Sequence, residues 1–150
     1  MAMTIEGEER IEAPIGKVWE ALNDPEVLAA SIPGCESLEK KSDTELAAVV
    51  TLKIGPIKAK FNGEVELKNL KPPHSYTIQG EGKGGIAGFA KGGADVTLTE
   101  DGPDATILRY EAKADVGGKI AQLGSRLITS TSKKLAGQFF SNFNAKVSAS

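Results

Sequence analysis

The sequence predicts an α+β fold in which one antiparallel sheet is covered by a long C-terminal helix. Three observations carry this. Between residues 45 and 116, apolar residues recur at every second position through five successive segments. Before them, residues 13–31 hold two short stretches of helical spacing. After Gly117-Gly118, residues 119–147 contain no proline and set Ile120, Leu123, Leu127, Thr131, Leu135, Phe139, Phe143 and Val147 on one helical face. A sheet with one apolar face must bury it against a second layer, and the C-terminal segment supplies that layer.

Taken in order, "TIEGEERIE" (residues 4–12) reads as a strand with Ile5, Gly7, Glu9 and Ile11 on one face. "APIGKVWEALND" is a short helix with Pro14 in its first turn and Val18, Trp19 and Leu22 as its apolar stripe. "DPEVLAAS" adds a second helical stretch, ended by Pro33-Gly34. From residue 36 the period becomes two. Leu46, Ala48, Val50, Leu52 and Ile54 share a face, and Gly55-Pro56 turns the chain. In 58–68, Ala59, Phe61, Gly63, Val65 and Leu67 oppose a wholly polar set. "KPPHS" turns again before Tyr76, Ile78, Gly80 and Gly82. Strands at 90–99 and 106–116 follow, joined by "EDGPDA". The final helix, ~28 residues at 1.5 Å each, spans ~40 Å and so reaches across a curved sheet.

The bulk composition narrows the function. At 150 residues the chain reads as a single domain, 1–150, able to bury a sizeable core. A net charge of −2 argues against a nucleic-acid partner. No apolar run reaches the ~20 residues of a membrane span and no secretory signal opens the chain, so a cytoplasmic protein is expected. One cysteine and one histidine exclude an internal disulfide and a Cys/His zinc site within the chain. No cofactor or metal is expected.

The run "GEGKGGIAGFAKGGADV" (80–96) raises the question of a phosphate loop, which needs a strand, a Gly turn and then a helix N-terminus. Here both flanks have strand period. The run reads instead as a long hairpin, in which Gly84, Gly85 and Gly88 permit the turn. Its remaining glycines belong to a wider pattern of small residues on the covered face: Ala48, Ala59, Gly63, Gly80, Gly82, Ala90, Gly92, Ala94, Ala112 and Ala114. Two explanations stand. Small residues permit strong curvature and close backbone approach, or they leave room for an apolar ligand. In the second case the expected walls are Leu46, Val50, Phe61, Tyr76, Ile78 and Tyr110, closed by Leu123, Leu127 and Thr131. Ile86 and Phe89, near the hairpin tip, either fold back over the cavity or form a contact for membrane or partner.

"IEAPIGKVWEALNDPEVL" resembles the opening of START-like (SRPBCC) helix-grip proteins, the superfamily that includes polyketide cyclases and lipid-transfer domains. Within it, "SIPGCESLE", "IGPIKAKFNGEVEL", the glycine-rich run and "GGKIAQLGSRLI" resemble the carbon monoxide dehydrogenase G-subunit (CoxG) family. The resemblance covers essentially the whole chain. It implies a curved seven-stranded antiparallel sheet gripping a long helix around a hydrophobic cavity. It also implies a non-catalytic accessory to a molybdenum-containing dehydrogenase of the hydroxylase type. Such a protein would bind a lipid or quinone-like molecule and work peripherally at the inner face of the cell membrane. Longer members carry a C-terminal tail that aids attachment; this sequence ends at "NAKVSAS".

Catalytic candidates are few. His74 lies in a proline-set turn, without the pocket partner a general base requires. Glu9 shares a face with Ile5 and Ile11, where a carboxylate pKa can rise. Cys35 lacks a resolving cysteine or a basic neighbour and reads as a packing residue. Lys40-Lys41 is too short a basic run to mean nucleic acid or lipid headgroups. The alternative function is a cavity enzyme of the polyketide cyclase or aromatase type, using Glu9, Tyr76 or Tyr110 as acid and base.

Overall fold

In a computed structural model, which describes residues 2–148, the chain begins as strand β1 (Ala2–Ile11) and passes into helices α1 (Ile15–Leu22) and α2 (Pro25–Ser31). Six strands follow: β2 (Cys35–Lys40), β3 (Glu45–Ile54), β4 (Ile57–Lys71), β5 (Ser75–Lys83), β6 (Phe89–Glu100) and β7 (Thr106–Gly117). Helix α3 (Ser125–Ser148) ends the described chain. The strands form one seven-stranded sheet in the order β1-β7-β6-β5-β4-β3-β2, antiparallel throughout. The first strand therefore pairs with the last, and β1 and β2 are the edges.

Local chemistry accounts for the helix boundaries. Pro14, extended at φ −61° and ψ 151°, leads into α1, whose Val18 and Leu22 are buried. Asp24 caps α2 by accepting the Glu26 N–H at 2.9 Å, and Pro25 fills the first helical position. The C-terminal segment differs from the uninterrupted helix that its spacing predicts. Lys119–Leu123 forms a separate 3-10 turn, and Gly124 at φ +98° separates it from the 24-residue α3. Side-chain periodicity alone does not register such a break; a left-handed glycine does.

Helix α3 crosses the concave face and is held at both rims. On one side Asn142 Nδ2 donates to the Ser31 carbonyl at the end of α2, at 3.1 Å. On the other, Asn144 Nδ2 donates to Glu9 Oε2 at 3.0 Å and to the Arg10 carbonyl at 2.9 Å, both on β1. The buried Thr106 hydroxyl donates to the Ala13 carbonyl at 2.8 Å, fixing the turn from β1 into α1 against β7.

Between helix and sheet the interior divides into two halves. One is densely filled: Ile11, Val18, Leu22, Leu67, Tyr76, Leu98, Leu108, Phe143 and their neighbours form a continuous cluster. Tyr110 stacks on Phe140 with ring centroids 4.0 Å apart, and Trp19 meets Tyr76 edge-on at 5.7 Å. The second cluster, built around Ile54, Phe61, Ala87, Val116, Ile120 and Ile128, closes the opposite end.

Gly7 shows how tightly the filled half is made. A Cβ built there would overlap the hydroxyl end of the Tyr110 ring. Gly7→Ala should therefore displace the Tyr110–Phe140 stack and cost about 1–3 kcal/mol, read as a shifted urea midpoint with an unchanged slope.

Candidate functional site: an apolar cavity under the helix

The second half of the interior is hollow. A cavity of ≈ 420 Å³ lies between β3, β4 and the middle of α3, with Ile32 and Pro33 of the link from α2 to β2 on one side. Its floor and closed end are Ile54, Phe61, Val116, Ile120 and Ile128, all buried. Val50, Leu52, Leu135 and Phe139 line the half-buried part, so the cavity opens toward the link between α2 and β2. Thr131 and Ser132 contribute hydroxyls, and among the described residues no titratable side chain lines it. A larger trough of ≈ 980 Å³ lies across strands β3 to β7 and β1, but it is open and bordered by Lys41, Glu45, Glu64, Glu81, Lys91 and Asp115. Charges of both signs at its border make it a poor place for an apolar molecule.

The glycines separate the two explanations for small residues. At Gly63 and Gly82, both on the cavity wall, an added Cβ would meet neighbours only at 3.7 Å and 3.8 Å or beyond. The missing side chains leave open space there. At Gly92 an added Cβ would run into the Lys113 carbonyl, so glycine at that position serves close approach of β6 to β7. Gly84 makes room for the ring of Phe61, and the backbones at Gly88 and Gly118 touch with no room for a side chain on either.

The expected lining residues fall into two groups. Val50, Phe61 and Thr131 face the cavity. Tyr76, Ile78 and Tyr110 instead pack in or against the filled cluster, because the aromatic side chains of α1 and α3 occupy that half. Leu46 is buried beside Val65, farther along β3 and outside the cavity. Leu123 packs on the end cluster, and Leu127 lies over Gly55 at the β3–β4 turn. The cavity face of α3 is Ile128, Thr131, Ser132, Leu135, Ala136 and Phe139, a stripe rotated away from Leu127. Leu52 and Ile54 share Val50's alternation, and Leu135 and Phe139 stand on the helical stripe. Those four were findable from periodicity. Ile32 and Pro33, in a link without periodicity, were not.

The acid and base candidates lie elsewhere. Glu9 accepts from Asn144 at the β1 rim. Burial, and then the nearby Glu9 carboxylate, raise the Tyr110 phenol above its ordinary value. Burial alone raises Tyr76 far above the usual tyrosine range. Burial likewise pushes the Cys35 thiol up, and its Sγ donates weakly to the Ser37 carbonyl at 3.4 Å. His74 is exposed in its turn. Among the described residues no group of three or more His, Cys, Asp or Glu side chains could hold a metal ion, and no helix is long and apolar enough to cross a membrane. At the hairpin tip, Ile86 sits on a 3-10 turn (Gly85–Ala87) and is 91% exposed, while Phe89 covers Gly117 on the outer face of the sheet.

Residues 7–148 match the family model of the carbon monoxide dehydrogenase G-subunit (CoxG). The chain belongs to this family. A conserved protein from Geobacillus kaustophilus superposes with a TM-score of 0.90 at 30% identity, covering 98% of this chain and 96% of its own. The Zhui aromatase/cyclase from Streptomyces sp. R1128 has a TM-score of 0.72 at 10% identity, covering 98% and 94%. Norcoclaurine synthase from Thalictrum flavum has a TM-score of 0.65 at 16% identity, also covering 98% and 94%. The last two likenesses establish a shared helix-grip fold for this CoxG-family chain and nothing about its chemistry. None of the curated proteins matches it significantly.

The raised phenols give a pH prediction. A tyrosine whose folded pKa exceeds its unfolded value near ~10 stabilises the fold fully below that value and loses the contribution as pH rises. Stability should fall above about pH 10, and Tyr76→Phe should make the fall shallower in urea titrations at stepped pH.

Proposed function

We propose that this CoxG-family chain is a non-catalytic carrier of a hydrophobic molecule, lipid or quinone-like, accessory to a molybdenum-containing carbon monoxide dehydrogenase-type oxidoreductase. In that role it helps to recruit the enzyme to the membrane or to supply its electron acceptor. The observation that carries the proposal is the cavity. Its ≈ 420 Å³ lies within the roughly 300–1,000 Å³ of small-molecule sites. Its walls are aliphatic and aromatic, and two hydroxyls on α3 stand ready to orient a carbonyl or hydroxyl of the guest.

An enzyme would bring titratable groups together at its pocket. Here Glu9, Tyr76 and Tyr110 are engaged in the filled half, away from the cavity lining. This favours carriage over the cyclase-type alternative. The family supports the accessory role, and the molecule carried and the oxidoreductase served follow from the same reading.

Native mass spectrometry of protein purified from cells should find a co-purifying quinone or lipid. The double variant Gly63→Val/Gly82→Val should lose that ligand by filling the cavity. Its stability should change by only about 1 kcal/mol, the span of strand propensities, since neither new side chain meets a clash at its Cβ. An empty cavity in repeated wild-type preparations would sink the carrier reading.

A further inference from the structure

The charges of this chain are segregated by segment. Residues 46–63, 82–94 and 116–148 contain no Asp or Glu, yet together they hold ten of the eighteen Lys and Arg residues in less than half the sequence. The fold brings the turns and helix start of these three segments to one end of the molecule. Gly55 in the first lies under Leu127 of α3, and Gly84 in the second meets the ring of Phe61. Gly88 in the second touches Gly118 in the third, and Ile54, Ala87, Ile120 and Ile128 form one buried cluster. This is the end that closes the cavity.

Two features of this end bear on what it can meet. Lys53 and Lys58 stand directly opposite one another across the β3–β4 hairpin, both exposed. Like charges in register destabilise a strand pair unless an anion meets them. Lys60 is paired with Glu36 at 3.6 Å, but Lys119, Arg126, Lys133 and Lys134 have no ion pair among the described residues. Arg126, Lys133 and Lys134 follow helical spacing along the exposed side of α3. At the same end Ile86, next to Ala87 of the buried cluster, projects almost fully into solvent. A protein interface of matching size would cover its apolar contacts broadly. A single proud Ile on a short turn, at the end that also carries Lys53, Lys58 and Lys119, fits a surface it can enter and whose headgroups are negative.

We infer that this end of the molecule docks on an anionic lipid surface, with Ile86 inserted and the lysines and Arg126 against the headgroups. Docking would set the closed end of the cavity toward the membrane and leave the opening by Ile32 and Pro33 at its flank. The inference deepens the membrane part of the function proposed above and rests on it; ligand carriage does not enter.

Flotation of the full chain with phosphatidylcholine vesicles, and with the same vesicles containing phosphatidylglycerol, tests it. Binding should require phosphatidylglycerol and weaken with salt. Lys119→Glu/Arg126→Glu and, separately, Ile86→Ser should each weaken it by about tenfold or more, since each basic residue near the surface contributes severalfold. Lys58→Glu should weaken binding while improving the hairpin's own charge pairing, so its loss cannot be blamed on unfolding. Arg109→Glu, on the sheet's outer face and paired with Glu8, should leave binding unchanged. If the wild type floats but these variants do not differ from it, the assigned surface is wrong and membrane recruitment stands. Binding equally to both vesicles overturns the anionic surface while recruitment stands, and binding to neither overturns recruitment and this surface together. Unaltered ligand content by native mass spectrometry in every variant separates these outcomes from failure of carriage.

Discussion

The seating of α3 is the constraint on which the rest of the structure depends. Two asparagines, Asn142 and Asn144, leave the helix on different sides and bond to opposite rims of the sheet assembly, one at α2 and one at β1. These bonds fix the C-terminal part of the helix over the filled half of the interior. At the C-terminal end of α3 the space is filled by Phe140 and Phe143 against Tyr110, Leu108 and Ile11. Toward its N-terminal half the helix offers Thr131, Ser132 and Ala136, which are too short to reach a wall thinned by Gly63 and Gly82. Interiors otherwise pack to crystal-like density.

This division assigns different work to residues that look alike in sequence. Gly7, Gly84 and Gly117 are cut away to admit the rings of Tyr110, Phe61 and Phe89; Gly92 lets two strands approach; Gly63 and Gly82 leave space. The aromatic residues divide in the same way. Phe61 and Phe139 face the cavity, whereas Tyr76 and Tyr110 are spent on packing. Charge is divided too. The carboxylate on the inner face, Glu9, is taken up by a rim hydrogen bond, and Lys53, Lys58 and Lys119 stand outside the cavity's closed end. In the proposed carrier, a pocket that lacks charge can hold an uncharged guest without the cost of burying an unpaired charge.

The order of elements, the alternation of every inner strand and the apolar stripe of the last helix were legible in the sequence, because period two and period 3.6 follow from backbone geometry alone. The parity held along β3, β4, β5 and β7: Leu46, Phe61, Leu67, Tyr76, Leu108 and Val116 are all buried. The fold family was legible as well, since its motifs run along nearly the whole chain. Tertiary structure alone decided which inner-face residues meet a cavity and which meet each other. Parity says which face a side chain takes, but not what stands opposite it. That depends on the break at Gly124, which separates α3 from the preceding turn, and on the rim bonds that seat its C-terminal part. The meeting of the turns and helix start of three carboxylate-free segments at one end was likewise written in the sequence as three separate absences. It became a surface only when the fold placed Gly55, Gly88 and Gly118 side by side with the start of the final helix.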